Sequence, residues 1–246
     1  MLVEKTATSY AKIREKIAEA NIDSILIISP HGPVQPRAFV IQTSWKLQAR
    51  FDDFGDFSSK AEFNGDPETA YKLKEATESH FPIRLSSEER LDYGSAIPLF
   101  TLMPEIANLK VVQISYSGLS LEDHINYGSL LGAELEKSSK NWAIIASGDL
   151  SHRLTRNAPG GYSSKAAKFD NKVIEYLNDP EIAASQIAKI DNKLTTEVKE
   201  CGLKSIAILL GTIKDWNYQP QVLSYQSDLG IGYLTMAFSP EAKPEL

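Results

Sequence analysis

The sequence predicts an α/β fold, a single domain spanning 1–246 with a central, mainly parallel or mixed sheet flanked by helices. Three observations predict it. Ser24–Ser29, Val111–Tyr116 and Trp142–Ala146 are short, largely β-branched or apolar runs, as expected of strands buried on both faces. Helical patterns of a dozen or more residues separate such runs, so the connections are crossovers and the strands lie side by side in parallel. The chain of 246 residues, 42% hydrophobic and 24% charged, suits one α/β domain with a substantial core.

In chain order, Ser9–Ala20 carries Ile13, Ile17 and Ala20 at helical spacing among Lys and Glu, an amphipathic helix leading into the first strand. Ala38–Gln42 reads as a short strand. Phe51–Ser59, rich in aromatic and acidic residues, reads as an irregular loop suited to lining a site. Asp66-Pro67 is a helix start with an acidic N-cap and Pro in the first turn, and the helix should reach about Ser79. After Val111–Tyr116, Ser120 caps a helix that runs to about Glu136, with Glu122 in its first turn. Ser164–Leu177, Pro180–Ala188 and Asp191–Cys201 read as helices, and Ile206–Leu210 as part of another. Val222–Tyr225 and Gly232–Phe238 alternate between glycines and read as two closing antiparallel strands.

Several function classes fall away. No run approaches the roughly 20 apolar residues of a membrane span, and Met1–Thr6 lacks the apolar core of a signal peptide, so a cytoplasmic location is expected. A single cysteine, Cys201, excludes an intrachain disulfide and any zinc site built on cysteine pairs. A net charge of −6 argues against a nucleic-acid partner. A small-molecule ligand remains, in a chain that also admits a homo-oligomer.

Chemistry concentrates after the strands. His31 lies in Ser29-Pro30-His31-Gly32-Pro33 and His152 in Ser147-Gly148-Asp149-Leu150-Ser151-His152, each just past a buried strand. In an open α/β sheet that is where ligands bind, so the two histidines are expected to converge. His31 reads as a metal ligand, an acid/base group or a structural turn residue. His152 reads as an acid/base group, with Asp149 and Ser151 either beside it in the site or merely capping the next turn. A His/His/carboxylate set holds non-haem Fe(II). Taken alone, Glu200 reads as an exposed helical glutamate and Cys201 as a small packing residue. His80 and His124 read as surface residues. A serine hydrolase built on Ser147 or Ser151 with His152 is disfavoured, since neighbouring residues rarely face each other and no Gly-x-Ser-x-Gly elbow is present.

The chain also resembles the class III extradiol ring-cleavage dioxygenases of the B-subunit type, which include the catalytic subunit of protocatechuate 4,5-dioxygenase and the Memo-like proteins. The resemblance runs from about Ser24 onward. It rests on Ser29–Pro33, Gly55–Ser58, Leu91–Leu99, Ala146–His152, Glu200-Cys201-Gly202, Leu223–Tyr225 and Gly230–Tyr233. It implies an α/β fold, Fe(II) or another divalent metal, and cleavage of a catechol-type aromatic diol by dioxygen. His31 and Glu200 would then be metal ligands sharing one cleft, His152 and Tyr93 catalytic residues, and Asp149 and Ser151 neighbours of the substrate. The pattern departs twice: no histidine precedes His31, and Tyr93 stands where the family has histidine. The Memo-like branch uses a cysteine in the segment matching Cys201-Gly202. A second function therefore stands beside the first: a non-catalytic relative binding a small molecule or a protein partner in the same cleft.

Overall fold

Strand β1 (Ser24–Ser29) is buried at every position, and its alternate side chains build two cores at once. Leu26 and Ile28 enter one cluster and Ile25 and Ile27 another, on opposite faces of the sheet. The computed structural model describes residues 3–103 and 109–241.

Helix α1 (Glu4–Glu19) precedes β1, and β2 (Phe39–Gln42), β3 (Lys46–Phe51) and β4 (Asp56–Gly65) follow it. Then come α2 (Pro67–Thr77), β5 (Ile83–Ser86), α3 (Tyr93–Leu102), β6 (Lys110–Ser115), α4 (Leu121–Leu135) and β7 (Trp142–Ala146). Helices α5 (Ala166–Leu177), α6 (Ala183–Ala188), α7 (Asn192–Val198) and α8 (Leu203–Thr212) lead to β8 (Tyr218–Gln226) and β9 (Tyr233–Pro240). The central sheet runs β3-β4-β6-β1-β7, with β2 pairing to β6 and β5 to β2. Its β6–β1–β7 centre is parallel, and among the described residues only β3–β4 and β2–β6 pair antiparallel within it. β8 and β9 form a separate antiparallel ribbon.

The caps behave as anticipated. Asp66 accepts the Thr69 amide at 3.1 Å with Pro67 in the first turn, and Ser120 forms a reciprocal capping box with Asp123. Other expectations are corrected. Phe51–Ser59 is not an irregular loop but the bend of the β3–β4 hairpin. A 3₁₀ turn at Asp52–Phe54 and Gly55 at φ 81° reverse the chain, and the Asp56 carboxylate accepts the Ser58 and Ser59 amides. Its strands escaped notice because Lys, Arg and Glu alternate with the inward Leu47, Ala49, Ala61 and Phe63. Asp191–Cys201 stops early: α7 ends at Val198 and Lys199 adopts φ 56°. Glu200 is therefore in a turn rather than on a helix.

His124 is not a surface residue. It is fully buried, its Nδ1 faces the Ser120 carbonyl at 2.6 Å, and its Nε2 accepts the Ser117 amide at 3.2 Å. Burial pushes its pKa down to about 4, so the ring is a neutral structural bridge.

Helices α4 and α8 touch backbone to backbone. A Cβ on Gly128 would lie 2.1 Å from the Ile208 carbonyl oxygen, and one on Gly211 would lie 2.0 Å from that of Ile125. No side chain fits there. Gly128→Ala is expected to force the helices apart and destabilise the fold by about 1–3 kcal/mol. A calorimetric melt lowered by several degrees is the predicted result; an unchanged melt contradicts this packing.

Candidate functional site at the carboxyl ends of β1 and β7

The parallel centre of the sheet delivers three loops to one end: Pro30–Pro33 after β1, Tyr116–Ser120 after β6 and Ser147–Arg153 after β7. His31 is half-buried and stacks on Tyr93, with ring centroids 4.1 Å apart and planes at 23°. Asp92 arranges this pair. Its carboxylate accepts the Ser29 hydroxyl at the end of β1 and also caps α3, accepting the Ser95 amide at 3.2 Å and hydroxyl at 3.1 Å. Gly94 lets the helix start come this close, since a Cβ there would lie 2.5 Å from Ser29 Oγ and 3.1 Å from His31 Cδ2. Asp92-Tyr93-Gly94 is thus a bracket that fixes His31.

The second arm is a clasp between distant segments. The Asp149 carbonyl accepts the Cys201 and Gly202 amides at 3.1 and 2.9 Å, and the Asp149 amide donates to Cys201 Sγ at 3.2 Å. His152 Nε2 lies 3.5 Å from Asp149 Oδ2. Donor atoms of Asp149, His152 and Cys201 all lie within 4.8 Å of one another, the group of three metal-competent residues found among the described residues. His152 Nδ1 is buried and has no hydrogen-bond partner among the described residues.

His31 and Glu200 are not members of that group of three. The charges of Asp149 and His152 act on His31, and that of His152 on Glu200, so His152 is their shared neighbour. Glu200 Oε2 accepts the Leu203 amide at 2.7 Å, capping the start of α8. Asp149 is partly exposed beside His152. Ser151 is fully buried; its hydroxyl donates to the Val198 carbonyl at 3.3 Å and accepts the Arg153 amide at 3.1 Å, so it shapes the loop from beneath. Sequence reasoning did not single out Tyr116, Lys204 or Asp170. Lys204 donates to the Ser117 carbonyl at 2.8 Å and sits 5.4 Å over the Tyr116 ring.

Burial governs the protonation of three groups here. Burial pushes the Glu200 carboxyl up to about 7 and the Cys201 thiol up to about 12, overcoming the hydrogen bonds that favour their anions. Burial also lowers His31, outweighing the carboxylates of Asp92 and Asp149. His152 moves the other way, raised chiefly by its bond to Asp149.

Residues 1–235 match the family model described as the catalytic LigB subunit of aromatic ring-opening dioxygenase. The chain belongs to this family. Among curated proteins, this LigB-family chain is 29% identical over 244 residues to Protein CA_C1420 of Clostridium acetobutylicum, a match covering 95% of this chain and 52% of that protein. It therefore spans about half the length of that relative. Among solved structures, the crystal structure of uncharacterized protein JW3007 from Escherichia coli K12 shares its fold, with a TM-score of 0.59 at 18% identity, covering 94% of this chain and 91% of that one. Among the described residues no helix is long and apolar enough to cross a membrane.

Asp170 on α5 supports the His152 loop from behind. Fully buried, it accepts the Ser151 amide at 2.9 Å and the Tyr225 hydroxyl at 2.7 Å, and burial still pushes its carboxyl up to about 6. That is above the ordinary value of 3.8, so between the two the folded chain holds a proton the unfolded chain has released. The group's contribution to stability is then full below about pH 4 and lost as pH rises through about 6. Asp170→Asn, which cannot ionise, is expected to flatten this fall in unfolding free energy, measured by urea titration across that window. A slope equal to the wild type would contradict the assignment.

Proposed function

We propose that this chain is a metal-dependent dioxygenase that opens a catechol-type aromatic diol, with Fe(II) as its ion. The observations that support the proposal are the Asp149, His152 and Cys201 group after β7, the His31–Tyr93 stack after the neighbouring β1, and the reach of the His152 charge to Glu200, in a LigB-family chain. The donors present fit a divalent transition ion. Burial pushes His31 toward the neutral imidazole that ligates a metal and disfavours the ionised Glu200 carboxylate, a cost that a bound cation would offset.

In this reading His31 and Glu200 hold the ion. When bound, the metal supplies the positive charge that favours the ionised diol and the redox chemistry dioxygen requires. The protein's own groups do the rest. His152, kept basic by Asp149, takes a proton from a diol hydroxyl and returns it later. Tyr93, its pKa raised by burial, keeps its proton as a hydrogen-bond donor while its ring walls the cleft. Asp149 faces the substrate, and Ser151 acts through the shape of the loop.

A specific observation favours a second reading, a relative that binds a metal or small molecule without opening a ring. The close group Asp149–His152–Cys201 includes a thiol and, once occupied, spends His152 as a ligand.

Dioxygen uptake with catechol by the Fe(II)-loaded chain separates the two. On the first reading His152→Ala lowers turnover by about 10²–10⁴-fold while Fe(II) affinity holds. Loss of the metal in that variant, or no uptake by the loaded wild type, supports the second.

A further inference from the structure

Helix α3 is apolar on both sides, yet among the described residues its outer side stays partly exposed. Gly94, Ala96, Pro98, Leu99 and Leu102 face the core, while Tyr93, Ile97 and Phe100 remain 42%, 40% and 42% exposed. Positions 93, 97 and 100 fall on one helical face, the spacing that usually marks a surface meant to be covered. The β3–β4 hairpin extends the face. Phe54, 64% exposed, meets the Tyr93 ring edge-on at 5.6 Å, and Phe51 meets Phe100 likewise at 5.3 Å. The result is an apolar strip about 10 Å long, from seven residues of helical rise.

This strip begins inside the cleft. Tyr93 stacks on His31 with one face and meets Phe54 at the rim, so the strip is continuous with the site. The charges at its border are already spent: Arg90 pairs with Asp53 at 2.7 Å and Asp52 at 3.5 Å, and Arg50 with Asp52 at 3.2 Å. An uncharged group therefore suits it better than an acidic one.

We infer that this strip seats an apolar substituent of the aromatic diol, a second ring in the simplest case, and that Phe54, Ile97 and Phe100 select for it. The inference rests on the proposed ring-opening site, because it takes the diol end to lie against His31 and Tyr93. A ring lying on Phe54 gains edge or offset contacts of the kind aromatic pairs make, on top of the apolar area it removes from water.

The test is anaerobic calorimetry on the Fe(II)-loaded chain with catechol and with phenylcatechol. Phenylcatechol is expected to bind about 3–10-fold tighter, the size of one good aromatic contact. Phe54→Ala should erase that preference and leave catechol affinity unchanged. Ile97→Ser, on the exposed face of α3 and away from the hairpin, gives the same readout should the hairpin variant fold poorly. Equal affinities in the wild type, or equal weakening of both ligands in the variants, would overturn the strip and leave the cleft reading standing. Failure of catechol itself to bind would overturn the cleft reading and the strip with it.

Discussion

The site depends on the clasp between Asp149 and the Cys201-Gly202 turn, segments 52 residues apart in sequence. Its three bonds from the Asp149 backbone are each worth only about 0.5–1.5 kcal/mol net. What makes them specific is the close approach they enforce. Gly148 takes φ 144°, and a Cβ on it would lie 2.4 Å from the Gly202 Cα, so a glycine is needed at 148 for the turns to meet. The clasp joins the end of β7 to the start of α8. Because α8 is locked against α4 through Gly128 and Gly211, the donor-bearing turn inherits the rigidity of the core.

The two histidines illustrate how environment divides labour between identical side chains. His31, stacked on Tyr93 and partly desolvated, is pushed toward the neutral imidazole, the form that ligates a metal. His152, beside the Asp149 carboxylate, is pushed toward the imidazolium and is the better base. Groups whose environments drive their pKa values apart are the usual sign of an acid/base division of roles. Burial raises both Glu200 and Cys201, and at Glu200 the Lys204 charge offsets only part of that rise.

Much of the frame was legible because its signals are local. β1, β6 and β7 are near-continuous apolar runs, and α2 and α4 begin with capping residues whose hydrogen bonds form as anticipated. The β3–β4 hairpin was not legible, because charged residues on its outer face mask the alternation. α3 was missed as a helix because Gly94 and Pro98 interrupt its pattern; their reasons are the contact with Ser29 and the buried packing of the helix. His124 misled because its neighbours in sequence are polar, while its partners are backbone groups of the preceding turn.

The placement of His31 and His152 just past β1 and β7 could be read from sequence. The closeness of Cys201 to Asp149 and His152 could not, since it arises from the clasp, and neither could the part played by Asp170, an unremarkable acid in mid-helix. Anaerobic Fe(II) titration of the purified chain by calorimetry, with His31→Ala and Cys201→Ala alongside, tests the account most directly. It predicts one ion bound per chain, with affinity lost on removing His31 and the thiol's share read from the second variant. Absence of specific binding in the wild type would contradict it.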